Sequence, residues 1–223
     1  MNEWKKRMRA GTGLVLMFVV WTVLIQCVDV QAVGPKGTKV GFASWNVWVH
    51  SRTGVNMTLY TITDWLGLVP ILICGCFGIL GLSQWIRRKH FFRVDPDILL
   101  LGVYYLLVIA GYLIFEMVPV NYRPILIDGY LEASYPSSTT LLVLSVMPTL
   151  KFQMDRRCEN RTVRRIVSWF SVLFSAFMVI GRLVSGVHWA TDIIGSVLLS
   201  AGLFLLYAAA AACADQKKKE APQ

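Results

Sequence analysis

The stretch GRLVSGVHWATD, Gly181 to Asp192, holds three side chains capable of chemistry. His188 and Asp192 are four residues apart, so on a helix they share one face. An aspartate within reach of one ring nitrogen fixes the imidazole tautomer and makes the other nitrogen more basic. That is how a nucleophile and its orienting group are arranged. Arg182 precedes them with a permanent positive charge, and Arg123, in NYRP, offers a second. EASYPSSTTLL supplies a third cluster. Pro136 suits the first turn of a helix, with Ser134 as its cap. The free backbone N–H groups of Ser137, Ser138 and Thr139 would then form an anion site, their hydroxyls and that of Thr140 adding donors. Two arginines and a helix N-terminus suit a phosphoryl group, which His188 would attack. Such a transfer depends on positioning and on stabilising charge. No metal-ligand cluster is visible, so neither a metal nor a cofactor is expected.

The elements that must position these residues are membrane spans. Of the 223 residues 56% are apolar and 16% charged, against about 25% charged in a soluble domain. The charges sit in short segments between long apolar runs. The net charge of +9 does not signal nucleic acid, because the basic residues flank those runs. Six segments are near the ~20 residues a bilayer core requires: about Gly11–Val33, Tyr60–Trp85, Ile98–Val118, Pro136–Phe152, Val163–Val184 and His188–Ala212. The expected fold is all-α, a six-transmembrane helical bundle forming a single membrane domain, 1–223. The start MNEWKKRMR and the VQA before Val33 also fit a secretory signal, but the apolar run is long for one. The spans show no acidic or polar stripe of the kind a pore needs. The five cysteines are odd in number, which argues against a disulfide framework.

Lysine and arginine fix the orientation. The N-terminal tail, the loops after spans two and four, and the tail with Lys217, Lys218 and Lys219 carry most of them. The other side has only Lys36, Lys39, Arg52, Arg123 and Arg182. Both termini are therefore expected in the cytoplasm, with His188 at the outer face. Residues 34–59 form an outer interfacial segment, with Phe42, Trp45 and Val49 at helical spacing.

The motifs resemble those of the type-2 phosphatidate phosphatase superfamily, the lipid phosphate phosphatases. Its third motif is Ser-Arg, five residues, His, three residues, Asp; here Gly181-Arg182, His188 and Asp192 keep the spacing, with glycine for serine. Its second motif, Pro-Ser-Gly-His, reads Pro136-Ser137-Ser138-Thr139. Its first, Lys, six residues, Arg-Pro, keeps Arg123-Pro124 but has Glu116 at the lysine position. The resemblance spans a phosphatase-like core, 98–212. It implies that His188 forms a phosphohistidine and Asp192 orients it. Arg123, Arg182, Ser137, Ser138 and Thr139 would bind phosphate. Thr139 cannot replace the motif histidine as the acid for the leaving group, which leaves Glu116 or Glu132 to supply a proton.

The expected function is an integral phosphatase of a lipid phosphate or isoprenoid diphosphate, in a plasma membrane of bacterial type. Its partners would be that substrate and membrane lipids, without nucleic acid. The alternatives are a lipid-phosphate-binding protein of the same fold with little turnover, and a phosphotransferase.

Overall fold

The computed structural model describes residues 2–220. The side chain of Lys219, counted above in the basic tail, lies outside the described residues, as do positions 1 and 221–223 of the expected single domain. Among the described residues eight α-helices follow in order: α1 Glu3–Cys27, α2 Ala43–Thr53, α3 Met57–Leu66, α4 Leu68–Arg88, α5 Pro96–Met117, α6 Ser138–Arg157, α7 Arg161–Val184 and α8 Ala190–Glu220. Five stretches are long and apolar enough to cross a membrane: α1, α3 with α4, α5, α7 and α8. Valines, leucines and tryptophans on their outer faces are exposed, as they are where lipid is the solvent. The chain is an integral membrane protein.

Local chemistry sets the helix ends. Pro70 has no N–H for the Leu66 carbonyl, and its ring crowds that carbonyl. α3 accordingly stops at Leu66 and α4 starts at Leu68, with the Gly67 N–H shared between the Thr63 and Asp64 carbonyls. Pro96 opens α5, and Val118, kept out of the helical region before Pro119, closes it. Asn160 caps α7, its side chain accepting from the N–H groups of Thr162 and Val163. α1 extends further toward the N-terminus than Gly11, and α8 further toward the C-terminus than Ala212. The basic ends simply continue the helices.

α6 does not qualify as a span by hydropathy, and its composition explains why. It packs against α4, α5, α7 and α8. One of its faces carries a polar stripe, which corrects the expectation that the helices have none. Tyr104 donates to the Ser145 carbonyl at 2.9 Å, and the Tyr105 and Thr149 hydroxyls meet at 2.7 Å. Gln153 donates to the Tyr207 hydroxyl at 2.6 Å. These groups are satisfied within the protein, as polar groups away from water must be. The stripe joins α6 to α5 and α8.

Small residues bring α1 against α8. A Cβ on Gly11 would lie 3.0 Å from the Gly202 carbonyl oxygen, and one on Gly202 would lie 3.0 Å from the Val15 nitrogen. Close backbone approach of this kind holds helices together in lipid. At the end of the bundle that holds both termini, Trp4 donates to Gln216. There Arg157 and Arg156 pair with the nearly buried Asp97, tying α6 to the start of α5. His188 lies at the opposite end of α8.

Two elements frame that opposite end. α2 exposes Trp45 and Trp48 while burying Asn46, whose side chain donates to Thr191 Oγ1 at 3.0 Å. Phe42 does not share the Trp45 face; it precedes α2 and stacks on Trp21 at 5.0 Å between centroids. Between α5 and α6 the chain folds into a small hairpin, with Tyr122 opposite Ala133 and Ile127 opposite Tyr130. Asp128 and Gly129 turn it with φ of 48° and 83°, the left-handed pair that a two-residue turn requires.

Candidate active site

His188 sits in the loop between α7 and α8 and is almost fully buried. Its Nδ1 is 3.1 Å from the Ser134 carbonyl oxygen. A carbonyl only accepts, so Nδ1 carries the proton and Nε2 keeps its lone pair. The Arg123 Nη1 and the Arg182 Nη2 each lie 3.4 Å from Nε2. Thus the unprotonated nitrogen faces the two guanidinium groups.

Asp192 is placed differently from the simple orienter read from the sequence. Its Oδ2 is 3.7 Å from His188 Nδ1, beyond a hydrogen bond, and accepts instead from the Trp189 N–H at 2.9 Å. Its Oδ1 accepts from Asn121 Nδ2 at 3.2 Å. The fully buried carboxylate therefore braces the loop and the hairpin around the ring, while the Ser134 carbonyl takes the ring proton. Ser134 is not the helix cap. That position belongs to Ser137, which corrects the placement of Pro136 in the first turn.

The hairpin sets Arg123 opposite Glu132, with the Arg123 N–H on the Glu132 carbonyl. Their side chains follow the backbone: Arg123 Nε lies 2.9 Å from Glu132 Oε2, though not aligned as a hydrogen bond. Arg182 is 1% exposed, and its Nε also lacks an acceptor. Both arginines thus hold N–H groups that could be turned to a ligand.

A polar cavity of about 260 Å³ opens beside His188, lined by Arg123, Glu116, Glu132, Tyr112 and Ser138 among others. Of the expected phosphate-binding hydroxyls only Ser138 borders it. The Ser137 hydroxyl is buried and donates to Thr140 Oγ1 at 3.1 Å. Thr139 lines a second, mainly apolar groove of about 250 Å³ with Asp64, Gly67, Leu68, Ile71, Val108 and Leu141. Tyr112 and Ser138 belong to both spaces, so groove and cavity adjoin.

Several site residues went unread in the sequence. Tyr60, Thr63 and Asp64 of α3 all contact Arg182. Asn121 and the Ser134 carbonyl hold Asp192 and His188. The Asp128-Gly129 turn was the available signal for the hairpin. Nothing in the sequence signals the α3 contacts, which join residues more than a hundred positions apart.

Burial, followed by the charges of Arg123 and then Arg182, holds the His188 pKa well below its ordinary 6.5. The imidazolium is disfavoured, so the nucleophilic form persists as pH falls through that value. If His188 is the nucleophile, kcat/KM should stay level through pH 6.5 and decline only at lower pH. A pH–rate profile checks this, and an acid limb centred at 6.5 or above would contradict it. The same group makes the fold less stable below pH 6.5, where the unfolded chain takes up a proton that the native site refuses.

Residues 73–213, well over half of the chain, match the PAP2 superfamily. The fold is similar to the crystal structure of a transmembrane PAP2-type phosphatidylglycerolphosphate phosphatase from Bacillus subtilis. The TM-score is 0.62 at 17% identity, covering 93% of this chain and 96% of that one. No curated protein matches the sequence.

Proposed function

This chain belongs to the PAP2 superfamily, and on that footing we propose that it is a membrane phosphatase of lipid phosphates or isoprenoid diphosphates. One observation carries the reading: Nε2 of a neutral His188, 3.4 Å from a nitrogen of each of two buried arginines. In the proposed reaction Nε2 attacks phosphorus, an N–P bond forms and the P–O bond to the leaving group breaks, releasing a lipid phosphate from a diphosphate or, from a monoester, a lipid alcohol whose oxygen takes a proton from water. Arg123 and Arg182 neutralise the non-bridging oxygens as charge builds there. The Ser134 carbonyl and Asp192 stabilise the positive ring. Water then attacks the phosphohistidine, returning the ring and releasing phosphate. No step of this scheme calls on a metal.

The adjoining apolar groove supports a lipid substrate. Its walls of leucine, isoleucine and valine suit a hydrocarbon chain whose phosphate reaches the cavity. The direct test is phosphate release from a panel of lipid phosphates and diphosphates by purified protein in detergent, with and without a chelator. We expect release from at least one lipid, unchanged by the chelator. Release from none would overturn the reading.

A second reading, a receptor with little turnover, is favoured by Thr139. This threonine holds the motif-histidine position and cannot donate a proton near neutral pH.

We place both termini in the cytoplasm and the site at the outer face of a bacterial-type plasma membrane, with α6 as a sixth span. Its 20 residues reach about 30 Å. The distribution of lysine and arginine supports this orientation. Cysteines placed singly at Thr38 and Gln216, in a variant without the five native ones, test it. We expect Thr38 to react with an impermeant thiol reagent in intact cells and Gln216 to be protected. Labelling of Gln216 from outside would contradict the topology.

A further inference from the structure

The two arginines at His188 present an electrostatic problem. Nitrogens of both lie 3.4 Å from the same His188 atom, so like charges are held together with little water. Glu132 offsets one of them, and Asp64, 3.7 Å away, offsets the other only weakly. A third group serves both. The ring of Tyr60 has the Arg182 guanidinium carbon 4.8 Å from its centroid and that of Arg123 at 5.9 Å. An aromatic face is the negative end of a quadrupole and attracts a cation within about 6 Å.

Tyr60 is itself well fixed. It lies on α3, before the residues that match the superfamily. Asn56 caps α3, its side chain accepting from the Leu59 N–H at 2.9 Å, and its own N–H bonds the Ser185 carbonyl in the His188 loop. Tyr60, Thr63 and Asp64 occupy positions i, i+3 and i+4, one helical face. Arg182 meets all three, donating to Thr63 Oγ1 at 3.4 Å. The packing also accounts for Gly181, where the superfamily motif has serine. A Cβ there would come within 2.8 Å of Thr63 Cγ2. α3 takes up the space a side chain would fill and in return supports the neighbouring arginine.

We propose that Tyr60 is a positioning residue of the phosphate site, its ring face holding Arg123 and Arg182 together around His188. The inference rests on the phosphatase reading above. It assigns the ring, not the hydroxyl, and it makes α3 the third wall of the site alongside the hairpin and the His188 loop. Because the arginines would be set before substrate arrives, losing the ring weakens binding of the pentacoordinate phosphoryl group most. Orthovanadate is the probe for that state.

The test compares kcat/KM and orthovanadate inhibition for wild type, Tyr60→Phe and Tyr60→Leu. Tyr60→Phe should stay within about twofold of wild type. Tyr60→Leu should lose about tenfold in kcat/KM, with a parallel rise in the vanadate Ki, as two partly desolvated cation–π contacts imply. A second series keeps the ring's shape: phenylalanines of increasing fluorination at position 60. Activity should fall step by step with fluorination while the thermal midpoint holds. The fluorinated series decides the matter if Tyr60→Leu cannot be recovered folded. A flat fluorination series, a fully active Tyr60→Leu, or a Tyr60→Phe as impaired as Tyr60→Leu would each overturn the proposal while leaving the phosphatase reading intact. A wild type that neither turns over lipid phosphates nor responds to vanadate would overturn that reading, and this inference with it.

Discussion

His188→Ala should lose turnover by at least about 10⁴-fold, since removing the nucleophile of a comparable catalytic unit costs on the order of 10⁶ in kcat. The loss should fall on kcat, because Arg123 and Arg182 remain to bind phosphate. The arginines point at Nε2, and a guanidinium cannot take over as nucleophile or base. Alanine leaves nothing to form the N–P bond. Lipid-phosphate binding should persist, and could tighten, because the phosphate gains the donors now aimed at the ring. Side-by-side kcat and equilibrium binding measurements check this. A variant within tenfold of wild type would remove His188 from the chemistry.

The second large effect concerns the leaving group. An alkoxide is about as basic as hydroxide, whose acid has a pKa near 15.7. Its departure needs a proton donor, which contributes roughly 10²–10⁴-fold when positioned. A phosphate leaving group, with a pKa near ~6, departs with far less help. Thr139 supplies no such proton. Of the carboxyls, Glu132 is paired with Arg123, Glu116 is exposed at the cavity rim, and Asp64 lies beside Arg182. Wild type should therefore prefer an isoprenoid diphosphate to a phosphatidate by about 10²-fold or more. Glu132 is already paired with Arg123, and Glu116 is exposed to water, which screens its opposition to the extra phosphate. Thr139→His should gain mainly on the monoester, since Thr139 borders a groove with room for a ring. Equal wild-type rates on both substrates would contradict the argument. If Glu116→Gln or Glu132→Gln then abolished the monoester rate, that carboxyl would be the acid.

The spans were legible because long apolar runs leave few other folds open to a chain. Their ends drifted by several residues, since basic residues at the ends continue a helix as readily as they stop one. α6 was expected to span only because its neighbours required it, and its hydropathy falls short of the five spans'. Its Thr149 and Gln153 are polar in sequence and find their partners only in the packed bundle. At the site, Arg182, His188 and Asp192 were legible from spacing, and Arg123 from its position beside a span. Their exact bonds were not. Four-residue spacing put Asp192 on the His188 face, but α8 begins at Ala190, so His188 lies before the helix and its Nδ1 turns to Ser134. The same limit hid the orientation of Ser137 and the contacts of Tyr60, which depend on how separate helices meet.

The central claim is a phosphoryl group carried on His188. Protein mixed with a lipid phosphate or diphosphate labelled at the transferred phosphorus, quenched in base within the first turnover and digested, reports on it directly. The account predicts an acid-labile, base-stable label on the peptide containing His188, absent from His188→Ala and lost when turnover completes. Label on another residue, or steady turnover with no labelled protein at any time within the first turnover, would contradict it.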